Sequence, residues 1–159
     1  MRMFDASSAL YAWDNYPIEN LPTLWSWLES EVSTGRIVIP RVALDEIGHI
    51  SPECRQWLHN IGGFNPVEVD NVIAFNALLI NGELGVQNDQ YGTGVDVNDV
   101  IIMATAKALG FTLISNESRQ PFLSPNKKKY KIPAVCNLQS VAVTCINFTD
   151  LIRSSNRVF

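Results

Sequence analysis

The stretch VNDVIIMATAKALGFTLISNE, residues 97–117, decides the fold. Val97 to Leu109 reads as a helix, with Lys107 in its last turn and Gly110 as its stop. FTLIS follows at once as a strand, and a helix feeding a strand this closely is half of a βαβ unit. Acidic residues mark both ends of the pair. Asp99 lies in the helix's first turn, where backbone N–H groups and the helix dipole favour negative charge, and Glu117 closes the strand. Asp96 stands three residues before Asp99, which is also the spacing of a capping box.

The same alternation runs outward in both directions. MRMFD is an apolar run fit for a buried strand, and SSALYAW begins a helix. A second helix opens at Asn20 with Pro22 in its first turn, places Leu21, Leu24, Trp25, Leu28 and Val32 on one face, and stops at Gly35. IVIP is then a buried strand, and Glu46 falls in the helical stretch VALDEI beyond it. Ser51-Pro52-Glu53 starts another helix, with Cys54, Trp57, Leu58 and Ile61 as its apolar stripe. FNPVEV is a short extended segment, and NVIAFNALLIN is helical. The glycine-rich GELGVQNDQYGTGVD reads as a loop that orders on demand. After residue 117 the sequence predicts a strand near AVC, a short one at VTCIN and a last helix at FTDLIRSS. The whole, residues 1–159, is expected to be a single α/β domain in which helices wrap a central parallel sheet.

Composition narrows the function. Net charge is −4, from 12 Lys and Arg against 16 Asp and Glu, so the chain as a whole is no electrostatic nucleic-acid binder. Four of its five lysines nevertheless gather as Lys127, Lys128, Lys129 and Lys131, with Arg119 a little upstream. Such a run is either a solvated loop or, beside an acidic site, a grip for a polyanion. No apolar run approaches the roughly 18 residues that cross a membrane, and MRMFDASS carries no long apolar leader segment; the cytoplasm is the expected compartment. Cys54, Cys136 and Cys145 match neither a disulfide framework nor a zinc signature, and they read as buried thiols. His49 and His59 read as surface or packing residues. The four tryptophans, Trp13, Trp25, Trp27 and Trp57, read as core or interface groups.

Four acids stand at element ends: Asp5 after the first strand, Glu46, Asp99 and Glu117. In parallel sheets wrapped by helices, ligands sit beyond the carboxyl ends of the strands; Asp5 and Glu117 follow strands directly, Asp99 lies in a first helical turn, and Glu46 stands one helical turn or more beyond Pro40. Carboxylates within about 5 Å of one another repel by roughly 3 kcal/mol per pair at an effective dielectric near 20. A cluster of them therefore calls for a divalent cation or for shifted pKa values.

FDASSAL, VALDEI and NDVIIMATAKALGFTLISNE together resemble the motifs of PIN-domain proteins of the VapC toxin class. KIPAVC…VTCINFTDLI and LWSWLE resemble an uncharacterised bacterial PIN-like family close to that class. The resemblance implies a three-layer α/β/α fold and a metal-dependent ribonuclease, the toxin of a type II toxin–antitoxin pair. It also implies Mg²⁺ or Mn²⁺ held by Asp5, Glu46, Asp99 and Glu117, with RNA as substrate and a cognate antitoxin or a second copy of the chain as partner. Ser7 matches the small hydroxyl near the first acid. Two departures stand out: Ala6 replaces a common Thr, and Glu117 replaces the more frequent Asp. Asp96 is an added acid that could serve as a metal ligand in place of Glu117 or only as a helix cap. Arg119, Lys127, Lys128 and Lys129 are the candidates for holding the substrate. The alternative reading is a PIN-like binding module with a weakened site, acting through RNA or a protein partner. A haloacid-dehalogenase type of hydrolase needs a second Asp where Ser7 stands, and a receiver domain needs an acidic pair where FDASS has one acid.

Overall fold

A computed structural model describes residues 1–159. The opening apolar run is β1 (Arg2–Phe4), followed by α1 (Ala6–Asn15) and α2 (Pro22–Ser33), with Pro22 in its first turn. β2 (Ile37–Val38) leads into α3 (Arg41–Ile50), which carries Glu46, and then α4 (Pro52–Asn60). The Ser51 hydroxyl caps α4 by accepting from Cys54 N. α5 (Asn71–Leu84) and α6 (Val97–Leu109) both stop on glycines in the left-handed region, Gly85 at φ 72° and Gly110 at φ 66°. β3 (Thr112–Ile114), α7 (Ile132–Cys136), β4 (Cys145–Ile146) and α8 (Phe148–Ser154) complete the order.

All strand pairs are parallel, in the spatial order β2-β1-β3-β4. The chain moves one way from β1 to β2 and the other way from β1 to β3 and β4. By the usual right-handed crossover rule such an order puts the connecting helices on opposite faces of the sheet and makes the β1/β3 boundary, at the carboxyl ends, the topological switch point where ligands bind in such sheets. Met3 on β1 faces Leu113 on β3, and both are fully buried. The core is one contiguous apolar cluster that includes Leu28, Leu44, Ile102 and Phe148. Trp25 is buried between Trp13 and Trp57, packed edge-on against both at 5.5 and 4.8 Å. Burial pushes the Cys54 thiol up to about 12, which leaves it an inert packing group. No helix is long and apolar enough to cross a membrane.

Two expectations need correction. The segment near AVC is not a strand but α7, because Pro133 sits in a helical first turn and the Ile132 N–H finds a carboxylate acceptor fifteen residues earlier in the chain. That partner is invisible to local pattern. The glycine-rich loop is also less free than its composition suggests. Its first residues, Gly82 to Leu84, belong to α5, and the rest is tied down: the Tyr91 hydroxyl donates to Asn81 Oδ1, Gly94 N to Lys128 O and Val95 N to Tyr130 O. Gly94 is required there, since a Cβ on it would fall 2.2 Å from Tyr130 O.

Candidate active site

Asp5 follows β1 directly, and its N–H extends the pairing to β3 by donating to Ile114 O at 3.0 Å. Asp5 is 3% exposed. Its Oδ2 accepts from Ser7 Oγ at 2.5 Å and from Ser115 Oγ at 2.8 Å, so two hydroxyls fix its orientation. Ser7 Oγ in turn accepts from Asn116 N, and Ser115 Oγ from Glu117 N. Ser7, expected at the substrate, thus directs its proton to Asp5. Burial raises the Asp5 carboxyl above its usual range and the Glu117 charge adds to the rise, with the Ser7 and Ser115 bonds opposing it.

Asp99 and Asp96 form the capping box whose spacing the sequence carries. Asp96 Oδ1 accepts from Asn98 N and Asp99 N, while Asp99 Oδ2 accepts from Asp96 N at 2.9 Å. Asp96 is exposed and Asp99 half-buried. Burial first, and then the charges of Asp96, Glu117 and Asp5, push Asp99 up to about 7. Glu46, half-buried on α3, is raised by burial and by Asp5, Asp96 and Glu117. It lines a groove of about 380 Å³ with Val42, Asp45, His49 and Asn98. A roomier hollow, about 610 Å³, lies instead between α2 and Arg157–Phe159 and has no Asp or Glu in its lining.

The acids are linked electrostatically through a few of their number: Glu46 and Asp99 each feel Asp5, Asp96 and Glu117, and Asp5 feels Glu117. They do not form a cage, for no three His, Cys, Asp or Glu side chains stand in a geometry to ligate one ion. Glu117 is the most committed of the set. Its Oε2 accepts from Ile132 N at 2.8 Å, and its Oε1 faces Lys131 Nζ at 3.7 Å, so it ties α7 to the end of β3. The carboxylate oxygens are of the kind that hard divalent cations prefer.

The basic run forms a 3₁₀ turn, Lys127–Lys129, alongside the loop that leads to Asp96. Lys127 pairs with Glu83 and Lys131 with Glu117, whereas Arg119, Lys128 and Lys129 have no carboxylate partner. Sequence reasoning missed Ser115 and Asn116, whose side-chain Oδ1 accepts from Phe148 N at 2.9 Å. A signal for Ser115 was present: a polar side chain at the inner end of an apolar strand is buried and must find a partner.

This arrangement is the fold of VapC-like PIN proteins. VapBC2 from Rickettsia felis, solved bound to a DNA fragment from its promoter, superposes with a TM-score of 0.56 at 16% identity over 92% of this chain and 98% of that one. A toxin–antitoxin complex from Klebsiella pneumoniae superposes at 0.50 with 17% identity, over 79% of this chain and 94% of that one. The chain belongs to the family described as Domain of unknown function (DUF4411), whose model matches residues 3–159. No curated protein matches its sequence.

Proposed function

We propose that the chain is a metal-dependent endoribonuclease and the toxin of a type II toxin–antitoxin pair, acting as one domain. The observation that supports this reading best is that Asp5, Glu46 and Asp99 all have their proton affinity raised by burial, and that Glu46 and Asp99 each also feel the charge of Asp5. The fold's likeness to toxin–antitoxin structures supports the partner class, a cognate antitoxin.

Asp5, Glu46 and Asp99 would hold Mg²⁺ or Mn²⁺, with Asp96 as a further oxygen donor, and a bound ion supplies charge neutralisation at a phosphodiester and a more acidic water. Ser7 and Ser115 keep the Asp5 carboxylate from rotating. Glu117 acts on the site from outside by holding α7 in place. Arg119, Lys128 and Lys129 offer positive charge to the RNA phosphates, which an acidic crevice alone repels. Attack by water yields 5′-phosphate and 3′-hydroxyl ends, and RNA preference comes from single-stranded access and shape.

A second reading, a binding module with a weakened site, draws on one observation: both oxygens of Glu117 already serve the protein's own groups. Incubating purified protein with single-stranded RNA separates the two. The nuclease reading expects cleavage in Mn²⁺ that stops on chelation and is lost in Asp5→Asn; cleavage that survives in Asp5→Asn, free of contaminating nuclease, refutes it.

A further inference from the structure

The segment after Glu117 holds a feature that the acidic crevice does not account for. Phe122 is 90% exposed and Leu123 next to it 52%. The segment carrying them is tied down on both sides. Gln120 Nε2 donates to Lys129 O at 3.0 Å, and Gln120 Oε1 accepts from Lys131 N at 2.7 Å. On the far side Asn126 Oδ1 accepts from Lys128 N at 3.0 Å, and Pro121 and Pro125 restrict the backbone between these ties. The ring is thus exposed on a short segment anchored at Gln120 and Asn126, at full cost in apolar exposure.

Its surroundings are cationic. Arg119, whose Nη2 makes only a long 3.5 Å bond to Cys145 O, shares the segment, and Lys128 and Lys129 lie on the turn that Gln120 pins. None of the three has a carboxylate partner, although the chain carries a net charge of −4. The same segment is joined to the crevice, since Lys131, held by Gln120 through its N–H, reaches Glu117 with its ammonium group. A protein-docking centre is depleted of lysine, whereas an aromatic face among unpaired cations suits a single strand, whose bases stack while its phosphates meet positive charge.

We propose that residues 119–129 form a platform for single-stranded RNA, on which one unstacked base lies against the Phe122 ring and the flanking phosphates meet Arg119, Lys128 and Lys129. The proposal rests on the reading of RNA as the substrate and adds where and by what chemistry the strand is held. It selects single strands, because a base within a duplex cannot offer its face to the ring.

The test is equilibrium binding of a single-stranded oligoribonucleotide containing 2-aminopurine, in Ca²⁺ buffer, to the full chain and to Phe122→Tyr, Phe122→Leu and Phe122→Ala. Stacking quenches the fluorescent base. Wild type and Phe122→Tyr are expected to quench it. Phe122→Ala and Phe122→Leu should both lose the quench and bind about 10-fold or more weaker with an unaltered salt slope. Arg119→Gln should instead lower the log–log salt slope by about 0.7. Circular dichroism confirms that the variants fold. Unchanged affinity and quench in Phe122→Ala overturns the proposal and leaves the ring to a protein partner. Wild-type behaviour of Phe122→Leu overturns it as well, since the contact is then merely apolar, and absence of any RNA binding by wild type removes it together with the RNA reading. Binding through Phe122 by a protein that cuts no RNA in Mn²⁺ sinks the nuclease reading and leaves the platform standing.

Discussion

Replacing Asp99 by Asn is expected to stabilise the metal-free protein at alkaline pH and to do little at acid pH. The folded chain holds the Asp99 proton up to about 7, against an ordinary value of 3.8. Between those values the native state binds more protons than the unfolded state, so stability is greatest below about pH 4 and is lost as pH rises toward 7. At 1.36 kcal/mol per pH unit the loss accumulates to about 4 kcal/mol. Solvent reaches one side of the half-buried carboxylate, and the capping bond from Asp96 N persists in the ionised form, so about half of this, some 2 kcal/mol, is the working figure. Asn keeps an oxygen for that capping bond and carries no charge. Asp99→Asn should therefore raise stability by about 2 kcal/mol at pH 8, or about 4–8 °C in Tm, and by under about 1 kcal/mol at pH 5. Asp5 and Glu46 shift in the same direction, so the comparison of variant with wild type, rather than the wild-type curve, isolates Asp99. Urea titrations in EDTA at the two pH values measure it. Equal stability of the two proteins at pH 8, or a loss in the variant, refutes the claim that the fold, chiefly by burial, disfavours the ionised Asp99.

Other expectations follow from single contacts. Asp96→Ser should preserve stability, because a hydroxyl still caps α6, whereas Asp96→Ala should cost about 1 kcal/mol in denaturant titration. With Asp96 as a further oxygen donor to the metal, Asp96→Ser should lose RNA cleavage without unfolding, and cleavage retained in that variant would leave Asp96 a helix cap alone. Gly94→Ala should destabilise by at least about 1–3 kcal/mol, since its Cβ would meet Tyr130 O at 2.2 Å and only backbone movement can relieve the clash. Glu117→Ala should cost about 1–3 kcal/mol by leaving Ile132 N without an acceptor, and Glu117→Gln, which retains one, about 1 kcal/mol or less. Equal losses in the two Glu117 variants would show that the pairing with Lys131, not the bond to Ile132 N, holds α7.

The parts of the fold legible in the sequence were those written locally. Val97–Leu109 and its Gly110 stop coincide with α6, and the spacing of Asp96 and Asp99 states the capping box that forms. MRMFD, IVIP and FTLIS yield β1, β2 and β3 because short apolar runs bounded by helix starts have few other uses in a parallel sheet. What failed depended on distant partners. α7 is a helix because Pro133 and a carboxylate from the end of β3 favour one, and the glycine-rich loop is held because a main chain some thirty residues later lies against it. Asp5 and Glu117 stood after strands and Asp99 in a helix's first turn in the sequence, whereas Glu46 lies mid-helix on α3. The use of Glu117 as a tie to α7 was not legible, since its extra methylene gives a reach that only the fold directs.

The central claim, that Asp5, Glu46 and Asp99 form one metal centre, is tested most directly by titrating Mn²⁺ into the purified protein and counting bound ions by electron paramagnetic resonance. Wild type should bind one or two ions, with affinity rising from pH 6 to pH 8 as the metal displaces the proton held by Asp99. Asp5→Asn and Asp99→Asn should each weaken binding at least about tenfold while keeping the native fold. Binding that is equally tight in wild type and both variants, or no binding by wild type at pH 8, would contradict the account.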